Sequence, residues 1–135
     1  MRALLLALFM LLAACTPRPG PEALTPQPAP GPDLRVVRVY VATTRAPMAP
    51  PAIGFGAGPA IGMSYRWYDI SVPEQPRARG VFWMTDTPDP SQDFLLVGHG
   101  ALDRSGFAAE VAQRNAQAAE PVTVFVHGYN YSFPE

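Results

Sequence analysis

The sequence predicts an α/β fold, on three observations. Residues 34–43 (LRVVRVYVAT) and 64–72 (SYRWYDISV) are rich in β-branched and aromatic side chains, the composition of strands. A helical pattern then runs from about Asp103 or Ser105 to Ala119 and is broken by Pro121. Residues 122–126 (VTVFV) follow as an almost uninterrupted apolar run, the signature of a parallel strand covered on both faces. Strand, helix and buried strand in that order imply a right-handed crossover unit. An all-antiparallel sandwich is the alternative, and the helix argues against it.

The chain begins with an address. Met1 and Arg2 give a short positive start to the apolar run ALLLALFMLL at residues 3–12. Ten apolar residues are too few for a hydrocarbon core, which takes roughly 20, and fit the apolar region of a secretory signal. Leu12, Ala13, Ala14 and Cys15 resemble a bacterial lipobox, with small residues before an acylated cysteine. The resemblance implies cleavage after residue 14 and a lipid on the Cys15 sulfur, where the chain's single cysteine stands. At about 0.8 kcal/mol per buried methylene, two or three acyl chains anchor a protein stably. Thr16 stands where the familiar inner-membrane retention signal has Asp, so the periplasmic face of the outer membrane is favoured where the cell has one.

Seven prolines fall within residues 16–33 (TPRPGPEALTPQPAPGPD), leaving few backbone donors and no apolar period. That composition predicts an extended, semi-rigid spacer. The chain thus divides into a signal at 1–14, an acylated Cys15 with its Pro-rich tether at 15–33, and a folded part at 34–135.

In the folded part, residues 43–47 (TTRAP) end the first strand, and residues 47–63, rich in Pro, Gly and Ala, predict a mobile loop. In the second strand Tyr65, Trp67, Asp69 and Ser71 alternate with Arg66, Tyr68, Ile70 and Val72, so two faces separate cleanly. Pro73 stops it. Residues 79–84 and 93–97 (DFLLV) predict two further short strands. On the helix, Phe107, Ala108, Val111 and Ala112 form a small apolar stripe, and Glu110 and Arg114 are an i,i+4 pair.

The chemistry concentrates after the last strand, at His127, Gly128, Tyr129 and Asn130. In α/β sheets, sites form beyond the carboxyl ends of strands. A glycine there lets the backbone approach a ligand, and the next N–H is free to point at developing negative charge.

Taken as an ordered set, VYVATTR at 39–45, YDISVP at 68–73, Arg79-Gly80 and TVFVHGYN at 123–130 resemble the N-terminal part of a bacterial α/β-hydrolase family. That family is esterase/lipase-like and was long catalogued as a domain of unknown function. The resemblance covers about residues 39–135. It implies the N-terminal portion of an α/β-hydrolase sheet, ending after the HGYN loop, and a serine hydrolase of ester or related acyl bonds needing no cofactor. By the same resemblance, the Tyr129 N–H is an oxyanion-hole donor, Gly128 permits the approach, and His127 orders the loop.

The nucleophile is missing. Such hydrolases place it in G-x-S-x-G on a sharp strand-to-helix turn. None of Ser64, Ser71, Ser91, Ser105 and Ser132 has that context. The folded part also has 102 residues, against roughly 200–250 for larger one-domain folds. A shortened hydrolase, inactive alone, is the expectation; a non-catalytic envelope lipoprotein is the alternative.

The remaining motifs read as structure. His99, between Gly98 and Gly100, predicts a turn, and pairing it with His127 on a metal would need a third ligand that nothing marks. Asp86, Asp89 and Asp93 lack the glycine and bidentate Glu of a Ca²⁺ loop and read as a solvated turn. Gly54, Gly56 and Gly58 have no strong strand before them and no helix after them, so they are not a phosphate cradle. A net charge of −1 gives no basic surface for nucleic acid, and a single Cys excludes an internal disulfide. The expected partners are therefore a membrane, through the anchor, and a small acyl or ester substrate once the missing residues are supplied.

Overall fold

A computed structural model describes residues 20–28, 31, 34–75, 88–118, 122–126 and 133. Three strands and one helix organise it: β1 (Arg35–Pro47), β2 (Phe55–Val72), β3 (Leu95–Leu102) and α1 (Arg104–Gln117). The strands lie in the order β1-β2-β3, and both pairings are antiparallel.

This corrects the predicted α/β-hydrolase-type sheet. Residues 122–126 form no strand, and Val124, Phe125 and Val126 are 80–84% exposed. An apolar run marks a segment suited to burial; it carries no information on the direction of pairing or on what covers it. Helix α1 accordingly packs beside an antiparallel sheet and joins no parallel strands. The antiparallel pairing of the alternative is found, but the described strands make a single sheet rather than a sandwich.

The two best-patterned strands pair as their alternation requires. Arg38 stands opposite Asp69 and Tyr40 opposite Trp67 on one face, with Val37 opposite Ile70 and Val39 opposite Tyr68 on the other. The predicted 47–63 loop is in large part strand: Phe55 pairs with Pro47 and Pro59 with Arg45. Register then jumps to Ser64 opposite Thr43, so residues 60–63 bulge out. Gly62 takes φ +93° there, a conformation a side chain resists, and Ile61 projects fully into solvent.

The predicted 93–97 strand begins at Leu95 and runs on through His99 to Leu102, so His99 is a strand residue opposite Tyr68. Its flanking glycines serve Trp67. A Cβ on Gly100 would stand 2.6 Å from the indole Nε1, and one on Gly98 would stand 3.4 Å from Cζ3. The indole lies flat across β3 only because those positions lack side chains. A register shift after Asp69 then aligns Ile70 with Leu96 and Ser71 with Leu95. Leu95 and Leu96 point to opposite faces, yet both are buried, so the sheet is covered on both sides at this end.

The core is small. Phe55, Tyr68, Leu95 and Leu96 are its buried apolar residues among those described. Phe133 packs edge-on against Phe55 with ring centroids 4.9 Å apart, and against Tyr68 at 5.8 Å. The Tyr68 hydroxyl donates to the Ile53 carbonyl, and burial pushes its pKa up.

Helix α1 starts where Asp103 caps it: the carboxylate accepts from the Gly106 N–H and the Ser105 hydroxyl. Phe107 seats it on the sheet, 5.0 Å from the Tyr65 ring and 6.0 Å from that of Tyr40. Part of the Pro-rich stretch is ordered against the same sheet. Residues Pro21–Leu24 form a 3-10 turn, and the Gln27 N–H donates to the Leu96 carbonyl at 2.8 Å. The predicted 79–84 strand lies outside the described residues.

Candidate functional site

The residues that the sequence marks for chemistry, Cys15, His127, Gly128 and Tyr129, lie outside the described residues. Two of the motifs that accompany them are brought together. VYVATTR lies on β1 and YDISV on β2, and Val39 stands opposite Tyr68 where the two motifs pair.

The densest polar constellation sits on the α1 side of the sheet, built on Arg38. Its guanidinium grips Asp69 in a two-pronged bond, Nε to Oδ1 at 2.7 Å and Nη2 to Oδ2 at 2.8 Å. It also lies 4.0 Å from the centroid of the Trp67 ring, a cation–π contact. Glu110, one turn beyond Phe107, reaches down rather than along the helix. Its Oε2 accepts from the Tyr40 hydroxyl at 2.9 Å and from Arg38 Nη1 at 3.5 Å. Cross-strand alternation puts Arg38, Tyr40, Trp67 and Asp69 on one face, and i,i+3 spacing puts Phe107 and Glu110 above them.

This arrangement holds rather than transfers. The hydrogen bonds from Arg38 keep the Asp69 carboxyl below the usual aspartate range, and they raise the Arg38 pKa further. A carboxylate so stabilised is a poor proton donor near neutrality, and the arginine does not give up its proton. The cluster is therefore a clamp between β1, β2 and α1. The sequence spacing pairs Glu110 with Arg114 along the helix, whereas in the structure Glu110 accepts from Tyr40 and Arg38. The signal for the clamp was there: Arg38 shares parity with Tyr40 on β1, and Asp69 shares it with Trp67 on β2.

An open groove of about 750 Å³ lies beside α1, lined among others by Met63, Ser64, Tyr65, Arg66, Leu102 and Arg104. Among the described residues it is lined by the hydroxyl of Ser64 and by no histidine. Ser71 is unsuited to attack a substrate. Its hydroxyl is fully buried beside the core and has no hydrogen-bond partner among the described residues.

Asp89 and Asp93 form the expected turn, though not a solvated one at both positions. Asp93 is buried and its carboxylate accepts from the Asp89 N–H, while Asp89 binds the Ser91 N–H and hydroxyl. Asp86 lies outside the described residues. Among the described residues no three of His, Cys, Asp and Glu stand together in a way that could hold a metal ion. None of the described helices is long and apolar enough to cross a membrane.

No known protein family, curated protein or solved structure matches this chain.

Proposed function

We propose that this chain is a lipid-anchored protein of the cell envelope, carrying the oxyanion-loop region of an esterase/lipase-like serine hydrolase and inactive by itself. The single observation that carries the reading is the ordered motif set ending in TVFVHGYN, beside a lipobox that holds the chain's only cysteine. In this reading the Tyr129 N–H faces the oxyanion of an ester substrate, Gly128 permits the approach, and His127 orders the loop. None of the chain's five serines is the nucleophile in this reading, because none lies in G-x-S-x-G. The acylated Cys15 places the protein on the periplasmic face of an outer membrane where one exists, as Thr16 favours.

One observation favours a second reading, a non-catalytic binding or structural lipoprotein: the strongest polar cluster described is a clamp with no nucleophile in it. Translating the DNA beyond the Glu135 codon in all frames separates the two. A helix followed by G-x-S-x-G supports the hydrolase. Several hundred bases without one support the binding module. For the anchor, the Cys15→Ala variant must lose incorporation of labelled fatty acid; unchanged incorporation removes the lipoprotein reading.

A further inference from the structure

We infer that residues 21–27 are a strap that holds the sheet close to the bilayer, so that the folded part works at the membrane surface rather than at the end of a long tether. This rests on the lipidation proposed above. The observations concern the strap itself. Leu24 closes over Gly54, where a Cβ would stand 2.9 Å from the leucine Cδ1 and 3.1 Å from Phe133. Three residues on, the Gln27 N–H donates to the Leu96 carbonyl on β3, an edge strand of the sheet. Leu24 and Gln27 are both partly buried. The strap therefore pairs with a sheet edge through its backbone and seats a side chain on a position kept open by glycine.

The consequence is a matter of chain length. Were residues 16–33 a free polyproline spacer, 19 residue steps from Cys15 to Leu34 would reach about 60 Å at ~3.1 Å each. With the strap docked at Leu24, five steps from Cys15 to Gly20 and the turn Pro21–Leu24 separate the acylated sulfur from the sheet. At 3.3–3.6 Å per residue the five steps span about 18 Å at most, and the turn adds about 8 Å at ~2.0 Å per residue. One 3-10 turn separates Gly20 from Leu24. The end of the sheet that carries Gly54 thus stands nearest the lipid, and the partner this geometry selects is the bilayer surface with whatever ester or ligand resides in it.

Two measurements on the full chain test this. In the first, hydrogen exchange at the Gln27 amide is followed in the unacylated Cys15→Ala protein. Protection of tenfold or more over a free chain is expected, whereas exchange at the free-chain rate overturns the strap. In the second, the acylated protein, labelled with a dye through Gln113→Cys, is placed in phosphatidylethanolamine–phosphatidylglycerol vesicles with an acceptor dye at the headgroups. The Gln27→Pro and Leu24→Asp variants should lower the energy-transfer efficiency at least twofold with the circular dichroism of the sheet unchanged. Equal efficiency in parent and both variants overturns the membrane placement. A parent chain that takes up no fatty acid refutes the anchor and the placement with it, while the Gln27 amide still reports on the strap.

Discussion

Replacing Asp69 by Asn removes a charge from the Arg38 clamp while keeping its shape, and the cost follows from the geometry. The parent pair makes two charge-assisted hydrogen bonds of 2.7 and 2.8 Å, with the side chains 24% and 22% exposed. An exposed ion pair contributes about 0–1 kcal/mol, and hydrogen bonds to charged groups in less solvated settings about 1.5–3. This pair lies between those limits, so Asp69→Asn should cost about 1–2 kcal/mol. Arg38→Met also forfeits the Trp67 contact, about 0.5–1 kcal/mol, and leaves Asp69 without its donors; about 2–3 kcal/mol is expected. A loss of 2 kcal/mol corresponds to roughly 8–16 °C in Tm for a domain of this size. Urea titration followed by tryptophan fluorescence measures it, with the midpoint falling at constant m. The double variant should be less destabilised than the sum of the singles by about 1 kcal/mol. If both single variants lie within 0.5 kcal/mol of the parent, the clamp is merely a solvated pair and the reasoning fails.

Other consequences are more local. The Asp69 pKa is lowered on folding, so its contribution is fully present above the unfolded-state value and is lost as pH falls through the lower folded one. Acid titration of unfolding should therefore show the parent losing stability below the usual aspartate range, with Asp69→Asn flattening that limb; an unchanged limb contradicts the pairing. Gly100→Ala should destabilise by about 1–3 kcal/mol, because its Cβ meets the Trp67 indole. The added Trp67→Ala change should relieve part of that loss in a thermal-melt cycle. Ser71→Ala removes a buried hydroxyl with no partner among the described residues and should be neutral or stabilising by up to about 1 kcal/mol, read from the same urea midpoints.

Where the sequence was legible, a short-range rule decided the matter. Asp103 and the apolar stripe at Phe107 located α1, and period-two alternation at 64–72 located the regularly paired half of β2 with its two faces. Long-range pairing decided the rest. Gly98 and Gly100 look like turn punctuation until Trp67 is known to lie across them, which requires the β2–β3 register. The Gly- and Pro-rich residues 55–63 are strand because β1 runs alongside to pair with them. Arg38 and Asp69 are 31 residues apart, so their contact follows from the hairpin's register rather than from either segment alone. The apolar residues 122–126 suggested a buried parallel strand, but a hydrophobic run cannot name its neighbour. The motif at His127, Gly128 and Tyr129 and the acylation site at Cys15 lie outside the described residues, and both are carried by sequence alone.

The proposed function turns on the nucleophile, and a serine-directed probe addresses it most directly. The purified Cys15→Ala chain, incubated with a fluorophosphonate and assayed on short- and long-chain esters, should show neither labelling nor turnover. Stoichiometric labelling of any of its five serines, lost on replacing that serine by Ala, would contradict the account.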